Sequence, residues 1–207
     1  MFNVCPRCGE YAVEKTIDPA GPFAVCPFCT YAHPFFQQPL FLITGASGAG
    51  KTAVCLELVA RLRGECVVLE SDILWGTMPE DPEKGYQEYY NQWLRVAKNV
   101  GQGERPVVLC GTALPEQYEI CPERRYFSTI HYFALVCENG LLVERLKQRP
   151  AWQESGGQNF LEKMVQFNTW LKEHAVTTEP AMILYDTSQH TLAETTRYIE
   201  QWILQRL

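Results

Sequence analysis

A chain of 207 residues, 46% hydrophobic and 20% charged, has room for one α/β domain with a small appendage. Its net charge of −6 excludes a general attraction to nucleic acid or to an anionic membrane surface, leaving only a local basic patch open. No apolar run is long enough to span a bilayer and no signal-type segment opens the chain. Four of the nine cysteines fall in C-x-x-C pairs, so the expected setting is cytoplasmic, with reduced thiols rather than disulfides.

Those pairs are Cys5-Pro6-Arg7-Cys8 and Cys26-Pro27-Phe28-Cys29, seventeen residues apart. Each presents two sulfurs from a tight knuckle, and two knuckles joined by a hairpin complete a tetrahedron. Residues 11–15 and 22–25 suit the hairpin strands, with the turn at Asp18-Pro19-Ala20-Gly21. So short a segment has too little core to fold without a staple, so a metal is expected to hold it. The pattern resembles a zinc ribbon, with Cys5, Cys8, Cys26 and Cys29 as Zn²⁺ ligands and nearby His33 as a linker residue. Two basic residues (Arg7, Lys15) against three acidic ones (Glu10, Glu14, Asp18) offer little to a phosphate backbone, which favours a structural or protein-contact role. Residues 34–39 read as a stiff linker whose Phe35 and Phe36 dock the ribbon, making 1–38 one unit and 39–207 the other.

The second unit opens with an apolar strand at residues 40–44, followed by Gly45-Ala46-Ser47-Gly48-Ala49-Gly50-Lys51-Thr52 and a helical pattern through Val54, Leu58 and Leu62. This is G-x-x-x-x-G-K-[ST] in its strand–loop–helix context. Glycines let successive backbone N–H groups face phosphate oxygens, and the helix N-terminus adds positive potential. The loop from Gly45 through Ser47, Gly48, Ala49 and Gly50 is therefore expected to cradle a nucleoside triphosphate. Lys51 would reach its outer phosphates and the Thr52 hydroxyl would help hold Mg²⁺.

Residues 66–69 form a continuous apolar run, as in a strand buried on both faces, and end at Glu70-Ser71-Asp72. Residues 73–101 read as a helical insertion rich in aromatics. Tyr86, Tyr89, Tyr90 and Trp93 have the spacing of one packed helix face, leaving Trp75 as the aromatic best placed for a ligand. Further strands are expected at 106–110, 130–137 and 181–185. With the intervening helices these predict an α/β fold, a doubly wound parallel sheet of five strands carrying a small N-terminal β ribbon. The strand at 106–110 ends in Cys110-Gly111-Thr112, without the Mg²⁺-binding acid common there in motor ATPases, and no guanine-selecting Asn-Lys-x-Asp occurs. Thr112 is a candidate for an acceptor or phosphate contact, and Arg125, beside Arg124, for clamping an anionic acceptor.

The loop, the Asp after the second strand, Arg145-Leu146-Lys147-Gln148-Arg149 and the Asp186-Thr187-Ser188 turn together resemble P-loop small-molecule kinases of the shikimate, gluconate and nucleoside types, across residues 40–207. The resemblance implies that Asp72, or Glu70 in its place, orients or deprotonates the acceptor. It implies that Arg145 and Arg149 belong to a lid contacting the transferred phosphate and adenine, hinged on Gln153-Glu154-Ser155-Gly156-Gly157. Asp186 and Thr187 would lie beside the adenine. ATP with Mg²⁺ and a small-molecule acceptor, a nucleoside or nucleotide first, are the expected substrates. A polynucleotide- or tRNA-directed kinase gripping through the ribbon, and a non-catalytic regulatory ATP-binding protein, are the alternatives.

Overall fold

The computed structural model describes residues 2–18, 20–74, 86–149 and 158–207. Trp75 and the expected lid hinge at 153–157 lie outside the described residues.

Among the described residues, eight strands fall into two sheets. The larger orders its five parallel strands β5 (Val67–Glu70), β6 (Val107–Cys110), β4 (Leu40–Gly45), β7 (Ile130–Val136) and β8 (Ile183–Asp186). β4 sits at the centre because its run Leu-Phe-Leu-Ile-Thr-Gly is apolar but for Thr44, whose hydroxyl bonds the Ala113 backbone, and all six residues are buried. Its alternation divides the core in two. Phe41 and Ile43 pack with Val54 and Leu58 of α1 (Lys51–Arg61), with Leu62 just beyond it, and with Ile199, Trp202 and Ile203 of α6 (Leu192–Leu204). Leu40 and Leu42 face Tyr89, Tyr90, Trp93 and Leu94 of α2 (Gln87–Gly101) and Tyr118 of α3 (Pro115–Glu119). The aromatic spacing of residues 86–93 is thus one packed face, as its period implies. α4 (Asn139–Lys147) and α5 (Gln158–His174) complete the layers, and Leu161 and Leu171 of α5 reach opposite cores. No described helix is long and apolar enough to cross a membrane.

The smaller sheet is antiparallel, β1 (Thr16–Asp18), β2 (Phe23–Val25) and β3 (Ala32–Pro34) in that order. Its first strand lies later than the expected 11–15. The reason is tertiary: the backbone there is held by the Tyr126 hydroxyl, which donates to Val13 O (2.6 Å) and accepts from Lys15 N (2.7 Å). Tyr11 forms only an isolated bridge with Val4. His33 is a residue of β3, paired with Ala24, and not part of the linker.

Phe35 docks as expected, buried with Phe2, Ala24 and Tyr126, with Phe2 meeting the Phe35 and Tyr126 rings edge-on. Phe36 remains 46% exposed. Beside this cluster the fully buried Lys98 Nζ of α2 donates to Asn3 Oδ1 (2.9 Å) and to Glu123 Oε2 (2.7 Å), while Arg95 Nε meets the other Glu123 oxygen at 2.9 Å. Lys98 thus ties Asn3 of the ribbon to the main domain, and the buried Glu123 carboxylate offsets its charge. Everything the ribbon touches here lies near where β4, β6 and β7 begin, at the N-terminal edge of the parallel sheet.

Candidate active site

At the opposite, C-terminal edge, β4 runs into the phosphate loop. Gly45 has φ 153°, and a Cβ there would stand 2.4 Å from the Leu135 carbonyl oxygen. Gly48 (φ 91°) presses against Leu142 and Leu146 of α4, and Gly50 (φ 105°) immediately precedes α1. The positive φ at all three, with close neighbours at Gly45 and Gly48, favours glycine, and the resulting curl points the first N–H groups of α1 into the loop. Lys51 folds over it, donating from Nζ to Gly45 O (2.8 Å) and Ala46 O (3.1 Å). Burial, helped by the Arg149 charge, lowers its pKa to about 8, against the opposing pull of Asp72, Cys110 and Glu70.

The Thr52 hydroxyl donates to a Glu70 carboxylate oxygen at the end of β5. Glu70 is therefore the acid beside the hydroxyl expected to help hold Mg²⁺, and an all-oxygen pair of this kind suits that ion. Asp72 stands two residues on, exposed in the 3₁₀ turn Ser71–Leu74 and near enough to Lys51 to favour its charged form. The turn is set by close approach of β5 and β6, since a Cβ on Gly111 would lie 1.8 Å from Ser71 Oγ. Gly111→Ala is accordingly expected to push Ser71 aside and drag Glu70 and Asp72 with it. About a tenfold loss of turnover with a melting point lowered by a few degrees is the expected outcome of assay and thermal scan. Thr112 Oγ1 donates to Gly45 O (3.2 Å), so its hydroxyl is engaged with the loop itself.

From the other side Arg145 Nη1 donates to Gly48 O (3.3 Å). With Arg149 it lines a cleft of about 390 Å³ above Gly48, Gly50, Lys51 and Thr52. A second cleft of about 270 Å³ adjoins it past Arg145, bounded by Ala49, Val54, Thr187, His190, Leu192 and Thr195. Thr187 is buried, its hydroxyl reaching Val136 O (3.1 Å) and Ala49 O (3.4 Å), which fastens the turn after β8 to the phosphate loop. Although burial works against its charge, Asp186 is held below the usual carboxylate range by the Ser188 hydroxyl and N–H. Arg125, read from the sequence as a clamp for an anionic acceptor, precedes β7 at the N-terminal edge, donating to Pro122 O (2.8 Å), with the sheet between it and the loop.

The family profile described as AAA domain (AAA_18) matches residues 42–163, which hold the phosphate loop, Glu70, Asp72 and both arginines. The chain belongs to this AAA-domain family. No curated protein matches the sequence. Among solved structures, the AAA-domain chain is similar to a sugar kinase from Janibacter sp. HTCC2649 (12% identity, TM-score 0.62, covering 80% of this chain and 94% of that one). It is also similar to a gluconokinase from Sinorhizobium meliloti 1021 (20% identity, TM-score 0.52, 79% and 89%). A third is a shikimate kinase from Acinetobacter baumannii in complex with shikimate (20% identity, TM-score 0.54, 83% and 96%). At such identities the likeness is one of fold, and it extends over nearly the whole of each of those chains.

Three lining residues of the second cleft, His190, Leu192 and Thr195, are absent from the sequence expectations. A local signal for them exists, because Thr191-Leu192-Ala193-Glu194 is a capping box that starts α6 at the mouth of the cleft.

In the ribbon, Cys5, Cys8, Cys26 and Cys29 bring their sulfurs within 4.8 Å of one another. Cys5 and Cys29 are 3.6 Å apart, Cys8 and Cys26 3.8 Å. A tetrahedron with Zn–S bonds of about 2.3 Å has edges of about 3.8 Å, so these two separations match edges of a four-thiolate site, and the cluster is a candidate to hold Zn²⁺.

Proposed function

We propose that the protein is a phosphotransferase that moves the ATP γ-phosphoryl group to an oxygen of a small metabolite. One observation carries the reading: Lys51, the Thr52–Glu70 pair and Asp72 share one sheet edge, with Arg145 and Arg149 across the cleft. The proposed path places the triphosphate along Lys51 and the loop N–H groups, with the base end in the cleft between Thr187 and Thr195. Thr52 and Glu70 would hold the Mg²⁺ that accompanies ATP, whose chemistry is to offset charge on the phosphate oxygens. Asp72 orients the acceptor hydroxyl and takes its proton as the acceptor oxygen bonds to the γ-phosphorus. The bond from that phosphorus to the bridging oxygen breaks, and ADP leaves with the electron pair. Lys51 and Arg149 lie where charge spreads over the transferring group, so catalysis is positioning and electrostatics.

The acceptor class proposed first is a nucleoside or nucleotide. Tyr89, Tyr90 and Trp93 are buried in the core, so they offer no stacking face. The similar structures are named for sugar, gluconate and shikimate chemistry, which extends the candidates to polyhydroxylated metabolites and their acids. The deciding experiment is Mg-ATP-dependent ADP release across nucleosides, nucleotides, sugars, sugar acids and short oligonucleotides. Stimulation by one metabolite class supports the reading. Binding of ATP with no stimulation by any acceptor would replace it with a regulatory role.

A further inference from the structure

The ribbon holds a buried charge that the main-domain network does not account for. Lys15 has no exposed surface. Its Nζ donates to the Phe2 carbonyl (2.8 Å), lies 3.3 Å from His33 Nδ1 and stands 5.2 Å from the Phe2 ring centroid. Among the described residues no carboxylate pairs with it, whereas Lys98, on the same Phe2 ring, has Glu123. A buried ammonium without a counterion is costly and rare, so the compensating negative charge has to come from elsewhere.

Among the described residues, the four-cysteine cluster supplies the groups that favour the Lys15 charge. Lys15 directly precedes β1 and Cys26 directly follows β2, and Thr16 pairs with Val25, so Lys15 and Cys26 flank the same end of one antiparallel pair. Phe2, whose carbonyl Lys15 holds, lies three residues before Cys5. Burial lowers the Lys15 pKa, and the groups that favour its charge are Cys5, Cys26 and Cys8. Four neutral thiols would leave the ammonium uncompensated. Four thiolates around one divalent ion carry a net charge of about −2, which a neighbouring cation offsets.

We propose that Lys15 is the built-in countercharge of a four-thiolate Zn²⁺ centre, a positioning residue that holds the metal by charge rather than by coordination. This rests on the cysteine cluster being a metal site and is independent of the phosphoryl-transfer reading. Lys15→Gln keeps a donor for the Phe2 carbonyl but removes the charge, and Lys15→Met removes both.

The full-length protein is loaded with Zn²⁺ and titrated with a competing chelator. Both variants are expected to hold Zn²⁺ about 10–100-fold more weakly than the parent, the range typical of groups that support metal ligands from outside the coordination shell. In the Co²⁺-loaded protein, the sulfur-to-cobalt charge-transfer band of Lys15→Gln is expected at longer wavelength, since thiolates without the cation give up electron density more readily. A purely structural role leaves that band in place. The proposal is overturned if Lys15→Gln retains parental affinity while Lys15→Met loses it, which makes the hydrogen bond decisive. It is overturned equally by a Lys15→Gln band at the parental wavelength. Absence of stoichiometric Zn²⁺ from the parent protein would remove the metal centre itself, while leaving the kinase assay untouched.

Discussion

Lys51→Met is expected to lower acceptor-stimulated ADP release by about 10²–10³-fold, the loss typical when one preorganised charge-stabilising donor is removed. Lys51 is the only cation in the loop itself, and its Nζ hovers over the Gly45 and Ala46 carbonyls at the floor of the phosphate cleft. Methionine keeps most of the stem's volume, so the melting point should stay within a few degrees. A second signature follows from the ammonium's pKa of about 8, set chiefly by burial. A lowered lysine pKa means the charge is complete below that value and lost as pH rises through it. Nucleotide affinity of the parent protein is therefore expected to weaken above pH 8, and that weakening should be missing from Lys51→Met. Persistence of the same alkaline limb in the variant would assign it to another group.

Asp72→Asn and Glu70→Gln are expected to fail differently. Glu70 accepts the Thr52 hydroxyl, so its neutralisation should raise the Mg²⁺ concentration needed for half-maximal rate, with turnover largely restored at saturating Mg²⁺. Asp72 stands free of that pair, exposed at the turn. As the group proposed to receive the acceptor proton, it should cost about 10²–10⁴-fold in kcat on conversion to Asn, at any Mg²⁺ concentration. Mg²⁺ titrations of both variants measure this. If the Mg²⁺ requirement moves with Asp72 instead, the two carboxylates have exchanged roles.

The central strand and phosphate loop were legible because both signals are local: an unbroken apolar run, then glycines at fixed offsets. The parallel sheet followed from the alternation of short apolar runs with helical periods. Contacts between residues distant in sequence were not legible. Tyr126 displaces the first ribbon strand by bonding Val13 and Lys15 from more than a hundred residues away. Arg125 has the composition of an anion clamp, yet clamping depends on which end of β7 it precedes, and local sequence does not encode that. Glu70 and Asp72 both read as acids at a strand end. Only the register of β5 against β6, with Gly111 against Ser71, turns one toward Thr52 and leaves the other at the surface.

The ribbon grips the sheet where its strands begin, while both clefts open where the strands end. A macromolecule held by the ribbon's outer face and a metabolite entering the cleft would therefore approach from opposite poles, with five strands between them. Such a protein can be tethered, fused or recruited by its ribbon with its working mouth still turned to solvent, which separates the question of where it is anchored from the question of what it phosphorylates.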